Sequence, residues 1–367
     1  MTRATFVMVL AVTGGGVFVL SVLLTLIARR LALRIGFVDH PGGHKTHSAP
    51  MPFGGGSAIF CATALALLTA LLLAVLVPQA WVVAGGGELL WAYVGGIRTR
   101  AGQTLVILAG AAVLHAVGLR DDHRPLGPWP KLLAIVAVAL LVATLGRVRL
   151  AEFAGPTAAV ILTTLWFVVV VNAFNFLDNM DGLSAGVACI CLTAFTICGV
   201  MSGQVLVPAL ASVFLGAIAG FLVFNFPPAR LFMGDAGSLV VGYMLATVSV
   251  LTTYYQSGRG TPPYALAMPL VVLAVPLYDV ASVVLLRLRA GHNPMRGDQR
   301  HFSHRLVDRG LSRPLAVLTI YLATATTGLL ATLLPGANLR QTLTIGLIVL
   351  MVLGVVAILE RPLRKAA

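Results

Sequence analysis

The chain has 367 residues, 59% hydrophobic and only 10% charged, with a mean hydropathy of +0.97. Soluble domains carry roughly 25% charged residues, so too few polar side chains exist to cover a water-facing globule, and lipid must be the solvent. The net charge of +13, on a chain with no soluble domain, excludes nucleic acid as a natural partner and points to anionic headgroups and phosphorylated substrates.

A helix needs about 20 apolar residues to cross the hydrocarbon core, and its backbone must be satisfied internally. The apolar runs here are long and unbroken rather than alternating, which selects helices over a barrel. In chain order they predict spans near 4–28, 57–77, 103–118, 131–146, 157–174, 183–201, 205–224, 237–255, 264–286, 314–334 and 341–359. The first is too long for a signal-peptide core and lacks a small-x-small cleavage site. The expectation is an all-α integral membrane protein, a bundle of about eleven transmembrane helices forming one domain over 1–367. Its functional loops are 29–56, 119–131, 175–182, 225–238 and 287–313. Loops 29–56, 119–131, 225–236 and 287–313, with the tail 360–367, hold 18 of the 25 Lys/Arg. The positive-inside rule then puts the N-terminus outside and the C-terminus in the cytoplasm. Cys61, Cys189, Cys191 and Cys198 sit inside apolar runs without metal-ligand spacing.

Ten of the twelve acids fall at or near the predicted inner side. Asp298, Asp308 and Glu360 lie among arginines and read as solvated. Asp178, Asp181, Asp235 and Asp279 are flanked by apolar segments, where ionisable groups are costly and default to function. Several carboxylates in a basic surround suit a hard divalent cation. Mg²⁺ is commonly held by one or two carboxylates plus substrate phosphates, and no His/Cys set has zinc spacing.

The segment DHPGGHKTHSAPMPFGGG (39–56) is a Gly/Pro loop in which Lys45, His44 and His47 suit either phosphate or lipid headgroups. In GLRDDHRPLGPWPK (118–131), Asp121 and Asp122 repel one another unless a cation stands near, and Lys131 faces the same way. NAFNFLDNMDG (172–182) crowds Asn175, Asp178 and Asp181 at the end of an uncharged run. In NFPPARLFMGDAGS (225–238), Asp235 either binds a ligand or, with Ser238, caps the next helix. Phe232 there either stacks on a base or packs. The loop 287–313 has seven arginines and three histidines; Arg305 is assigned to phosphate, and His301 and His304 share a helical face.

Together these segments, with VPLYD (275–279) and HFSHRL (301–306), resemble the polyprenyl-phosphate N-acetylhexosamine-1-phosphate transferases. Six motifs in chain order, from about residue 36 to 312, carry the resemblance. It implies an inner-membrane enzyme with a cytoplasmic active site. The reaction implied is transfer of sugar-1-phosphate from a UDP-sugar to undecaprenyl phosphate, releasing UMP, with Mg²⁺ or Mn²⁺. By motif match, Asp235 is the metal ligand, Asp121 and Asp122 the essential pair, and Asp178 the acid beside the metal. Asp181 and Phe232 match positions that hold the uracil. Asn175, Asn225, Lys45 and Lys131 match the nucleotide and phosphate pocket, and His301 and His304 the histidine motif. A homodimer is compatible with this reading. Two positions depart from the family pattern: Asn179 stands where glycine is frequent, and Ser303 replaces the penultimate histidine. The branch indicated is the N-acetylglucosamine one. The alternatives are the phospho-N-acetylmuramoyl-pentapeptide transferase, a lipid-diphosphate phosphatase and a cation-coupled transporter. A transporter should show repeat symmetry and midplane acids, and neither is visible.

Overall fold

The structure is a computed structural model that describes residues 2–39, 50–78, 88–252, 266–291 and 301–360. Lys45, His47 and His44 lie outside the described residues. The elements run α1 (Arg3–Ile35), a short ribbon β1 (Val38–Asp39) and β2 (Met51–Pro52), α2 (Gly55–Leu76), α3 (Glu88–Thr99), α4 (Ala101–His123) and α5 (Pro128–Thr144). They continue with α6 (Pro156–Leu177), α7 (Leu183–Met201), α8 (Leu206–Asn225), α9 (Asp235–Thr252), α10 (Met268–Val272) and α11 (Ala274–Arg289). The last are α12 (Phe302–Asp308), α13 (Arg313–Ala331) and α14 (Leu339–Leu359). Among the described residues, nine helices are long and apolar enough to cross a membrane: α1, α2, α4, α6, α7, α8, α9, α13 and α14.

The other two expected spans differ. The fourth is the 17-residue α5. The ninth is broken at Leu273 into α10 and α11. Pro276 is the cause: it has no N–H to donate, and its ring collides with the carbonyl four residues back, at Val272. Helix α3, with Gly95 and Gly96 inside it, has no counterpart in the sequence reading. Helix α4 runs on past the expected end, so Asp121 and Asp122 are helical rather than in a loop.

Helix α9 is the axis of the bundle. In its most apolar stretch 89% of residues are buried, against 17% for α1 and α14, which therefore form the lipid-facing rim. Yet α9 is less hydropathic than either, 1.4 against 2.5 and 2.8. Apolar surface does not drive helices together in lipid; small residues do, by letting backbones approach. Gly56 of α2 abuts Gly237 of α9, where a Cβ would lie 2.2 Å from the Gly237 nitrogen. Gly118 of α4 abuts the first residues of α9, where a Cβ would lie 2.4 Å from the Asp235 carbonyl oxygen. These two contacts bring α2 and α4 onto the N-terminus of α9, and the residues just beyond Gly118 are carried to the same place.

Candidate active site

One turn past Gly118, Asp122 caps α9. Its Oδ1 accepts from the Asp235 N–H at 2.7 Å and its Oδ2 from the Ala236 N–H at 3.1 Å. The orphan N–H groups of a helix start need such acceptors, and here the cap comes from another helix instead of from Asp235 or Ser238. Gly234 makes the approach feasible. Its φ is +71°, and a Cβ there would sit 2.5 Å from Asp122 Oδ2.

Behind this cap Asp121 and Asp235 share one cation. The Lys131 ammonium donates to Asp235 Oδ2 at 2.7 Å and Asp121 Oδ2 at 3.2 Å. Asn175 Nδ2 donates to Asp235 Oδ1 at 3.1 Å and to Ser238 Oγ at 2.9 Å. Leu126 N–H donates to Asp121 Oδ1 at 2.7 Å. Every carboxylate oxygen of Asp121, Asp122 and Asp235 therefore accepts a hydrogen bond.

Asp178 is different. It ends α6, and among the described residues no hydrogen-bond or ion-pair partner is found for its carboxylate. Burial pushes its pKa well above the usual carboxylate range, and the charges of Asp235, Asp122 and Asp181 push it further. The loop that carries it is tied down on both sides. Asp181 Oδ2 accepts from the Ala229 N–H at 2.9 Å. Asn225 receives the Gly182 N–H on Oδ1 at 3.0 Å and donates to the Leu231 carbonyl at 3.0 Å. The Tyr321 hydroxyl of α13 donates to the Gly182 carbonyl.

The histidine segment packs against this loop, with Ser303 Oγ donating to Asn179 Oδ1. Asp279, 1% exposed, accepts from the Phe302 N–H at 2.8 Å and pairs with His301 Nδ1 at 3.1 Å. The acid inside the expected ninth span thus anchors the start of α12. His301 is buried and edge-on to Phe176, whereas His304 is half-buried. Burial lowers the His304 pKa, with His301 and Arg313 adding to the effect, which favours the neutral imidazole. Arg305 turns away: its guanidinium binds Glu360 Oε2 at 2.7 Å and Ser282 Oγ at 2.8 Å. Glu360, expected to be solvated, is instead the half-buried partner in this ion pair and also accepts from the Tyr278 hydroxyl at 2.7 Å.

These walls enclose a cleft of about 430 Å³. Of the residues singled out in the sequence, Asp122, Asp178, Asn179, Asp181, Asn225, Phe232, Asp235 and His304 line it. Asp121, Lys131, Asn175, His301 and Arg305 do not; all but Arg305 stand behind residues that do. Asp39, Phe53 and Arg313 line it as well. Arg313 is one of the seven arginines of the 287–313 loop, and nothing in the sequence separates it from the other six. Phe53 and Phe232 lie ring to ring with centroids 6.4 Å apart, beside backbone bonds that join Phe232 and Met233 to residues 52–56.

Residues 104–253 match the family model for glycosyl transferase family 4. The chain is 31% identical to the probable undecaprenyl-phosphate N-acetylglucosaminyl 1-phosphate transferase of Bacillus subtilis, with 93% of this chain and 90% of the relative covered. This chain belongs to the polyprenyl-phosphate N-acetylhexosamine-1-phosphate transferase family. As a family member it is also 33% identical to the decaprenyl-phosphate N-acetylglucosaminephosphotransferase of Mycolicibacterium smegmatis (85% of this chain, 79% of the relative). It is 25% identical to the undecaprenyl-phosphate alpha-N-acetylglucosaminyl 1-phosphate transferase of Escherichia coli K12 (84% and 79%).

The donor set of this family member is hard oxygen throughout. No group of three or more His, Cys, Asp or Glu among the described residues is arranged to hold an ion by protein ligands alone. That suits a cation completed by substrate phosphates. An unpartnered carboxylate at Asp178, destabilised by three others, is the kind of group a divalent cation relieves.

Proposed function

We propose that this chain transfers N-acetylglucosamine 1-phosphate from UDP-N-acetylglucosamine to undecaprenyl phosphate. An acceptor phosphate oxygen attacks the phosphorus that bears the sugar. The bond from that phosphorus to the bridging oxygen breaks, and UMP leaves with the bridging oxygen. The observation that carries this reading is the convergence of four carboxylates, one of them unpartnered, at helix ends where a lipid phosphate and a soluble nucleotide can meet. The names of the relatives supply the sugar and the lipid. The loops around the cleft carry the arginine excess, which supports a cytoplasmic active site in a bacterial inner membrane, with the N-terminus outside.

Phosphoryl transfer is mostly positioning and charge neutralisation. Asp178 and Asp235 would hold Mg²⁺, which supplies charge neutralisation on the diphosphate. Asp122 fixes the start of α9, and Lys131 holds Asp235 in place. Phe232 and Phe53 offer an aromatic face to the uracil, with Asp181 beside them. His304, whose setting favours the neutral imidazole, is able to accept a proton at the phosphates. Arg313 is the one permanent cation among the described lining residues, so it meets a phosphate directly.

The test is transfer of labelled sugar phosphate from a panel of UDP-sugars to undecaprenyl phosphate in detergent, with Mg²⁺ or EDTA. Label in the lipid from UDP-N-acetylglucosamine, equimolar UMP and loss with EDTA are expected. Transfer from another sugar alone, or lipid labelling without UMP, would overturn the reading. In the same assay Arg313→Gln should raise the KM of one substrate by about tenfold, the scale of one lost charge-assisted hydrogen bond. Unchanged KM for both substrates would remove Arg313 from phosphate binding.

A further inference from the structure

The two positions at which this chain leaves the family pattern touch each other. Ser303 Oγ donates to Asn179 Oδ1 at 2.6 Å. Ser303 is 1% exposed, and the other end of the Asn179 amide donates to the Phe176 carbonyl at 2.7 Å. The amide is therefore held at both ends and has one orientation. Asn179 follows Asp178, the unpartnered acid of the cleft. Ser303 precedes His304, the histidine that lines it. Phe302, on the other side of Ser303, is fully buried and anchored by Asp279.

We propose that Ser303 and Asn179 act as one positioning pair, which sets the place of His304 relative to Asp178 in the cleft they both line. Neither is asked to react. The pair joins the acidic loop after α6 to α12, two elements 124 positions apart in the chain that each carry a cleft-lining residue. Asn179 is half-buried at the cleft edge, and removing the hydroxyl deletes the bond from the fully buried Ser303 that ties this loop to α12, so the loop would relax and His304 would lose its register. Misplacement at this scale costs rate more than binding. The proposal rests on the transferase reading above.

The test uses the full chain in detergent with S303A, S303T, N179A and the double variant S303A/N179A. Each alanine variant should lose about tenfold in kcat with both KM values within about twofold. The double variant should lose no more than the worse single, because the pair acts as a unit. S303T, which keeps the hydroxyl, should recover to within about threefold of wild type. Losses that multiply in the double variant, or an unchanged kcat in the singles, would overturn the pair. So would a fall in melting temperature that fully accounts for lost activity through the active fraction. Hydrogen exchange separates this failure from that of the transferase reading. S303A should speed exchange of amides in both 178–182 and 302–308 by about tenfold. Exchange in 178–182 that stays at the wild-type rate overturns the pair whether or not transfer is detected.

Discussion

Asp178→Asn is expected to reduce transfer by about 10²–10³-fold while making the substrate-free protein more stable, by about 1 kcal/mol. The two effects share one cause. Asp178 has no hydrogen-bond or ion-pair partner among the described residues, and burial and three neighbouring carboxylates disfavour its charge. Its raised pKa means that folding favours the protonated form. That contribution is complete below the ordinary carboxylate pKa of about 4 and is lost as the pH rises through the raised value. Wild-type melting temperature should therefore fall with rising pH over that window in metal-free buffer, and the curve of the asparagine variant should be flatter. Added Mg²⁺ should raise the wild-type melting temperature and leave the variant nearly unmoved. A variant that melts below wild type at neutral pH without metal would show that Asp178 is structurally paired. The outcome would remove the strain from the cleft.

Lys131→Met should lower stability by about 2 kcal/mol and abolish measurable transfer. Removing one partner of a fully buried pair costs about 3–5 kcal/mol. The Lys131 side chain is 23% exposed, so solvent screening reduces the figure. The loss leaves Asp121 and Asp235 facing one another with no cation between them. Adding Asp121→Asn to this variant should restore about half of the lost stability, because the repulsion is relieved, without restoring transfer, because Asp235 is still unsupported. Lysine-to-arginine is no remedy, since a planar fork does not replace a point charge between two carboxylates. Thermal melting in detergent reads the first effect and the transfer assay the second. A melting temperature equal to wild type would mean that the bridge carries no weight, and Lys131 would return to a role at the substrate phosphates.

The sequence by itself determined the solvent of this protein, most of its helices and the residues of its acidic cleft. Unbroken apolar runs are local signals, and a helix in lipid satisfies its backbone within the same run. The motif segments that meet at the cleft were legible for the same reason: polar groups at the ends of apolar runs are expensive and stand out. The break at Leu273 was also written locally, in Pro276, although hydropathy alone reads straight through it. What each polar group does was decided only by tertiary structure. Asp122 caps a helix that starts 113 positions later. Lys131 serves Asp235 across 104 positions, and Arg305 turns to Glu360 instead of to the cleft. Arg313 enters the lining because α13 packs beside the acidic loop, and no local pattern announces that. Ser303 and Asn179, each a small irregularity in its own segment, become one hydrogen bond over 124 positions. Hydropathy and turn chemistry act over a few residues, whereas the partner of a carboxylate depends on which helix ends meet, and here close backbone contact at Gly56, Gly118 and Gly237 made that choice.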